Sequence, residues 1–138
     1  MIAAREIMNK NVESVSEHET VDVAAKRMRD GDIGALMVTG KDGSLRGMLT
    51  DRDIVTGCIA SGHDPAKCTV STLAKDMPVV VEVGAGVDEV LATMGGHRVR
   101  RVPVTDNGTL VGVIGIGDLV DSAGHDRIGA VMAKIVAV

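Results

Sequence analysis

Residues 47–54 read GMLTDRDI, and residues 112–119 read GVIGIGDL. In each stretch a glycine-containing apolar run of strand character gives way to a polar junction, then to a segment of helical character. The offset between them is 65 residues, and Asp53 of the first returns as Asp118 of the second. Thr50 does not return, because Gly115 stands in its place. Such a recurrence means a duplicated unit, and the fold must be read as a repeat before anything else.

The flanking sequence repeats in the same register. Thr20 to Met28 (TVDVAAKRM) aligns with Gly86 to Met94 (GVDEVLATM) at an offset of 66. Val21, Ala24, Ala25 and Met28 in one, and Val87, Val90, Leu91 and Met94 in the other, fall at i, i+3, i+4 and i+7. That spacing makes one apolar stripe on an amphipathic helix. Thr20 is a good N-cap and Gly86 a weaker one. Gly31 and the Gly95–Gly96 pair are expected to stop these helices. A β-rich run follows each helix, Ile33 to Val38 and Val99 to Val104. Turns come next, the second carrying the Asn107-Gly108 pair that suits a tight hairpin. Upstream, Met8 matches Met77.

The chain is therefore expected to be α+β, with tandem βαββα repeats packed about a pseudo-twofold axis. Residues 1–65 form the first repeat; residues 66–138 form the second, with a C-terminal helix. One copy is too small to bury both faces of its sheet, whereas two can share a core. The closing segment has Ile128, Val131, Met132 and Ile135 at helical spacing. It either folds back or docks on a second subunit.

Composition bounds the function. The 138 residues carry 15 basic and 19 acidic side chains, a net charge of −4, and no Phe, Tyr or Trp. Binding to DNA without sequence preference rests on many Lys and Arg, and single-strand binding on aromatic stacking, so no nucleic acid partner is expected. No apolar run approaches the roughly 20 residues of a membrane helix, and no signal-like segment opens the chain. A cytoplasmic location and no membrane partner are expected. Cys58 and Cys68 flank His63 and Asp64, which makes a zinc site conceivable. Their spacing matches no close Cys-x-x-Cys pair, so incidental thiols on a loop are the preferred reading and no metal is assigned.

From about Arg5 to about Ser122 the chain resembles a CBS-domain pair, also called a Bateman module, of the small stand-alone kind found in actinobacteria. The elements that carry the resemblance are DIGALMV leading to GMLTDRDI, and HRVRRVPV leading to GVIGIGDL. The resemblance implies an adenine nucleotide or related adenosyl ligand held between the repeats. AMP, ADP, ATP or S-adenosylmethionine would act as a regulatory ligand, with no cofactor required. The residues suit this chemistry. A strand-to-helix junction points backbone N–H groups and a positive dipole end outward, where a phosphate can sit. Thr50 adds a hydroxyl, Asp51 shares the junction, and Asp53 can accept from both hydroxyls of a ribose. Gly47 lets a ligand approach the backbone. Helix capping is the alternative role of Thr50 and Asp53, and the two roles are compatible.

With Gly115 replacing Thr50, and Gly117 replacing Arg52, the second junction lacks a side-chain donor. The first site is therefore expected to bind better, and the Asp118 site to be weaker, empty or altered in ligand. The resemblance also implies that Arg100 and Arg101 reach phosphates; their alternative is a charged edge strand that resists aggregation. Leu36, Val38 and Val12 around the first site, with Val80 and Val102 around the second, are candidates to sandwich an adenine. Core packing is the alternative for each.

GVIGIGD lacks the third glycine of a dinucleotide fingerprint, and no nucleophile elbow, Walker loop or zinc-protease motif occurs. No catalyst is expected. The reading is a regulatory binding module, a homodimer that signals nucleotide occupancy to an effector protein. The competing one is a ligand-free CBS scaffold acting as a stress-related protein-interaction homodimer.

Overall fold

The computed structural model describes residues 2–136. In chain order the elements are α1 (Ala4–Ile7), β1 (Ser14–Ser16), α2 (Val21–Gly31), β2 (Ala35–Thr39), β3 (Leu45–Thr50) and α3 (Asp51–Ile54). A π-helical turn, Val55–Ile59, extends α3. Then come α4 (Val70–Leu73), β4 (Val81–Glu82), α5 (Val87–His97), β5 (Arg101–Asp106) and β6 (Thr109–Gly115). A 3-10 turn, Ile116–Leu119, leads into α6 (Val120–Ala123) and finally α7 (His125–Val136).

The duplication is visible strand by strand. Among the described residues there are two three-stranded sheets, ordered β1-β2-β3 and β4-β5-β6. In each, the first pair is parallel and the second antiparallel. Ala35 faces Thr50 in one hairpin, and Arg101 faces Gly115 in the other. Even the irregularity recurs, between Val38 and Thr39 and again between Val104 and Thr105. Asn107 and Gly108 take positive φ of 51° and 87°, as a tight turn of the primed type demands.

The first of the two amphipathic helices stops at Gly31 as expected, and the second runs one residue past Gly96. Gly31 is the last residue of α2, and Asp32 supplies the left-handed cap at φ 51°. Helix α5 runs through Gly95 and Gly96 to His97, and Arg98 takes the left-handed position at φ 55°. Gly95 is there for packing: a Cβ on it would meet Lys134 Cδ at 3.3 Å and Val131 Cγ1 at 3.8 Å. Helix α7 thus folds back onto α5, and an Arg127–Asp88 ion pair joins the same two helices.

The chain forms two compact units, and they exchange their leading segments. One unit is Glu13–Pro78; the other joins the chain up to Val12 with Val79 onward. In the second, Ala4 N–H donates to Ala85 O at 2.7 Å and Arg5 N–H to Val83 O at 3.1 Å. In the first, Val70 N–H donates to Glu19 O at 2.8 Å and Ser71 N–H to Glu17 O at 3.0 Å. These are the same bonds, moved along the chain by one repeat. Each repeat's leader closes the sheet of the other, so the compact units do not follow the 65/66 division of the sequence.

Each unit has its own aliphatic core. Val15, Val21, Ala24, Leu36, Val38, Leu49 and Cys58 centre the first. Val90, Met94, Val102, Val104, Ile114 and Leu119 centre the second, where α7 adds Val131. No helix among the described residues is long and apolar enough to cross a membrane.

Candidate functional site

At the first junction the polar groups are engaged with one another. Thr50 Oγ1 accepts from Asp53 N–H at 3.1 Å, and Asp53 Oδ2 accepts from Thr50 N–H at 2.9 Å. This is a complete capping box, in which two orphan donors at a helix start are satisfied reciprocally. The next two amides are also taken: Asp51 N–H donates to Gly34 O at 2.9 Å, and Arg52 N–H to Asp51 Oδ1 at 2.8 Å. The phosphate-binding donors expected here are thus turned inward. The Asp51 carboxylate lies over Gly34, where a Cβ would meet Oδ2 at 3.1 Å. A phosphate at this junction would face that negative charge.

Gly47 corrects a second expectation. It is buried, and a side chain there would meet the carbonyl oxygens of Ala74 and Asp76 at 2.9 and 3.4 Å. Its missing Cβ makes room for the second leader, not for a ligand. Gly112 does the same for Met8 of the first leader. Leu36, Val38 and Val102 are wholly buried within the aliphatic cores, so they offer an adenine ring no surface. Core packing is their role in the structure. Val12 is half-buried at the end of the first leader, and Val80 is exposed beside β4.

The second junction is built differently. Gly115 has no side chain to cap the following turn, and only the reciprocal half of the box survives, Gly115 N–H donating to Asp118 Oδ2 at 2.8 Å. Asp118, Arg100 and Arg101 are all exposed. Together with Gly115, Ile116 and Gly117 they line a cavity of about 360 Å³. That lies within the range of about 300–1,000 Å³ usual for small-molecule sites. The register explains the gathering: Arg101 pairs with Gly115 across the hairpin, and Arg100 O accepts from Ile116 N–H at 2.9 Å. Two guanidinium groups and one carboxylate therefore share one mouth. The first unit has no counterpart to the charge, since its matching residues are Gly34 and Ala35. The features that suit an anionic ligand thus gather at the second junction, although the sequence led us to expect the first to be better furnished.

An adjoining cavity of about 540 Å³ shares Gly117 and Asp118 and adds Glu6, Ile7, Asp121 and Ser122. Nothing local in the sequence marks Glu6, which reaches this place because the first leader packs on the second sheet. Among the described residues no group of three or more His, Cys, Asp or Glu side chains is arranged to hold a metal ion.

Comparison with known proteins agrees with the duplicated architecture. The CBS domain family matches the chain twice, over residues 4–59 and 70–125. Hypoxic response protein 1 of Mycobacterium tuberculosis is 48% identical over 119 residues, covering 86% of this chain and 83% of that protein. The crystal structure of Hypoxic Response Protein I with two coordinated zinc ions superposes with a TM-score of 0.77. It is 46% identical, and the match covers 87% of this chain and 98% of that one. A hexameric CBS-CP12 protein from bloom-forming cyanobacteria matches at 33% identity with a TM-score of 0.68, covering 86% and 66% of the two chains.

Proposed function

The chain belongs to the CBS-domain family as a tandem pair, and from that premise we propose that it is a non-catalytic regulatory module that senses an adenine nucleotide. The observation that carries this reading is the cavity lined by Arg100, Arg101 and Asp118. The guanidinium forks match phosphate oxygens in geometry and charge. Asp118, with one oxygen held by the Gly115 amide, keeps acceptor capacity for ribose hydroxyls. AMP, ADP, ATP and S-adenosylmethionine share the adenosine part and differ in the charge at the far end, so the arginine pair favours the phosphates.

A sensor needs two states that bind its ligand with different affinity. The second state here is a change in association with another copy or with an effector protein. The assembly of the hexameric cyanobacterial relative supports self-association of such pairs. Val55 and Ile59, 58% and 55% exposed on the π-turn, give the first unit an apolar surface for it. The competing reading, a ligand-free stress-related scaffold, draws on the closed first junction. The two zinc ions belong to the structure of Hypoxic Response Protein I.

The test is optical and thermal. A chain without Trp or Tyr is nearly transparent at 280 nm, so a 260 nm band in purified protein reveals co-purified nucleotide. Added ligand at 100 times its dissociation constant should stabilise by about 2.7 kcal/mol. A melting shift with AMP, ADP or ATP supports the proposal. No band, and no shift with any of the four ligands, overturns it in favour of the scaffold.

A further inference from the structure

Cys58 and Cys68 are the two cysteines of the chain, and both pack in the aliphatic core of the first unit. Cys58 is fully buried at the end of the π-turn, and Cys68 packs, partly buried, against the same aliphatic cluster. The nine-residue excursion between them is tied at both ends. Cys58 O accepts from His63 N–H at 3.0 Å, and the Cys58 thiol donates to His63 O at 3.6 Å. Asp64 O accepts from the amides of Lys67 and Cys68 at 2.9 and 3.1 Å, while its carboxylate accepts from Ala66 N–H at 3.0 Å. Cys68 O in turn accepts from Val21 N–H at 2.9 Å, which fixes it to the start of α2. With both ends held, the two cysteine side chains belong to one aliphatic cluster at the neck of the loop.

We propose that Cys58 and Cys68 form an oxidisable dithiol that closes to an intramolecular disulfide when the protein meets a peroxide. The two sulfurs have different roles. Burial, followed by the hydrogen bond with Cys68 and the neighbouring charges of Cys68 and Asp64, pushes the Cys58 thiol up. Cys68 is the more accessible, so it attacks first. The Cys68 thiolate displaces hydroxide from hydrogen peroxide, forming an S–O bond as the O–O bond breaks. Cys58 sulfur then attacks the Cys68 sulfenic sulfur: the S–S bond forms, the S–O bond breaks, and the Cys58 proton leaves with the departing oxygen as water. Two thiols and one peroxide give one disulfide and two waters, the two electrons passing from sulfur to oxygen. A dithiol reductant reverses the step by exchange. The bond would clamp the 59–67 loop between the π-turn and the start of α2.

The experiment treats the reduced full chain with hydrogen peroxide in the presence of a metal chelator, then alkylates it in denaturant. Alkylatable thiols should fall from two to zero per chain, with intact mass lower by two hydrogens and a crosslinked peptide joining residues 58 and 68. In Cys58→Ala the loss of Cys68 thiol should instead end in sulfinic acid or a disulfide-linked dimer. Two thiols surviving under conditions that oxidise a free cysteine peptide would overturn the proposal. So would wild-type protein that yields only intermolecular disulfides or oxygenated thiols. Should Cys58→Ala fail to fold, the wild-type mass and peptide map decide alone.

Discussion

Replacing Gly47 by alanine tests whether this glycine makes room for the chain or for a ligand. A Cβ at that position would stand 2.9 Å from the Ala74 carbonyl oxygen, 3.4 Å from that of Asp76 and 3.5 Å from the Ala74 carbonyl carbon. All three are backbone atoms in the leader that closes the first sheet, and none can turn aside as a side chain can. The optimum for such contacts is about 3.5–4.0 Å, so the leader must shift by several tenths of an ångström. Overpacking of this kind costs about 1–3 kcal/mol. Alanine returns about 0.5–1 kcal/mol, because glycine loses more conformational freedom in a strand. The net destabilisation is about 1–2 kcal/mol, and with a urea slope near 2 kcal/mol/M the midpoint falls by about 0.5–1 M. Urea unfolding followed by far-ultraviolet circular dichroism suits a protein without aromatic residues. Gly112→Ala, which meets the flexible Met8 side chain, should lose less. Gly117→Ala, with nothing within 4 Å of its Cβ, should stay within about 0.5 kcal/mol of wild type. A Gly47→Ala midpoint equal to wild type would refute the packing argument and return Gly47 to the ligand.

Three further outcomes follow from the two junctions and the buried thiol. Thr50→Ala and Asp53→Ala each break a capping box and should cost about 1 kcal/mol in urea unfolding, while Asp118→Ala, which loses a single bond to the Gly115 amide, should cost less. Arg101→Ala should abolish the melting shift given by a nucleotide, whereas Arg46→Ala, in the other unit and paired with Glu17, should leave it intact; equal shifts in both variants would contradict the site. Cys58 has a raised thiol pKa in the folded chain, so its contribution to stability is complete below the ordinary thiol range and is lost as pH rises through the folded value. Compared with Cys58→Ala, reduced wild-type protein should therefore lose stability more steeply at alkaline pH, a difference that pH-dependent urea midpoints will show or exclude.

Much of this architecture was legible in the sequence because it is written twice. The stripe of Val21, Ala24 and Met28, repeated at Val87, Val90 and Met94, placed both amphipathic helices, and the hairpins followed from the turns. What stayed hidden depends on contacts far apart in the chain. Nothing local marks Ala74 as the neighbour of Gly47, or Glu6 as the neighbour of Asp118. Gly95 looked like a helix stop because a close approach of two helices leaves the same local signature as a cap. Thr50 and Asp53 suit a helix cap and a ligand alike, and of the two roles the structure shows the cap, each side chain reaching the other's amide. Losing the threonine at Gly115 undid half of that closure, and the cavity stands at that second junction.

The most direct trial of the nucleotide site is a crystal structure of the protein grown with saturating AMP or ATP. Density for the nucleotide is expected in the second unit, phosphate against Arg100 and Arg101 and ribose hydroxyls on the Asp118 carboxylate. An empty cavity, or nucleotide bound only at Thr50 and Asp53, would contradict it.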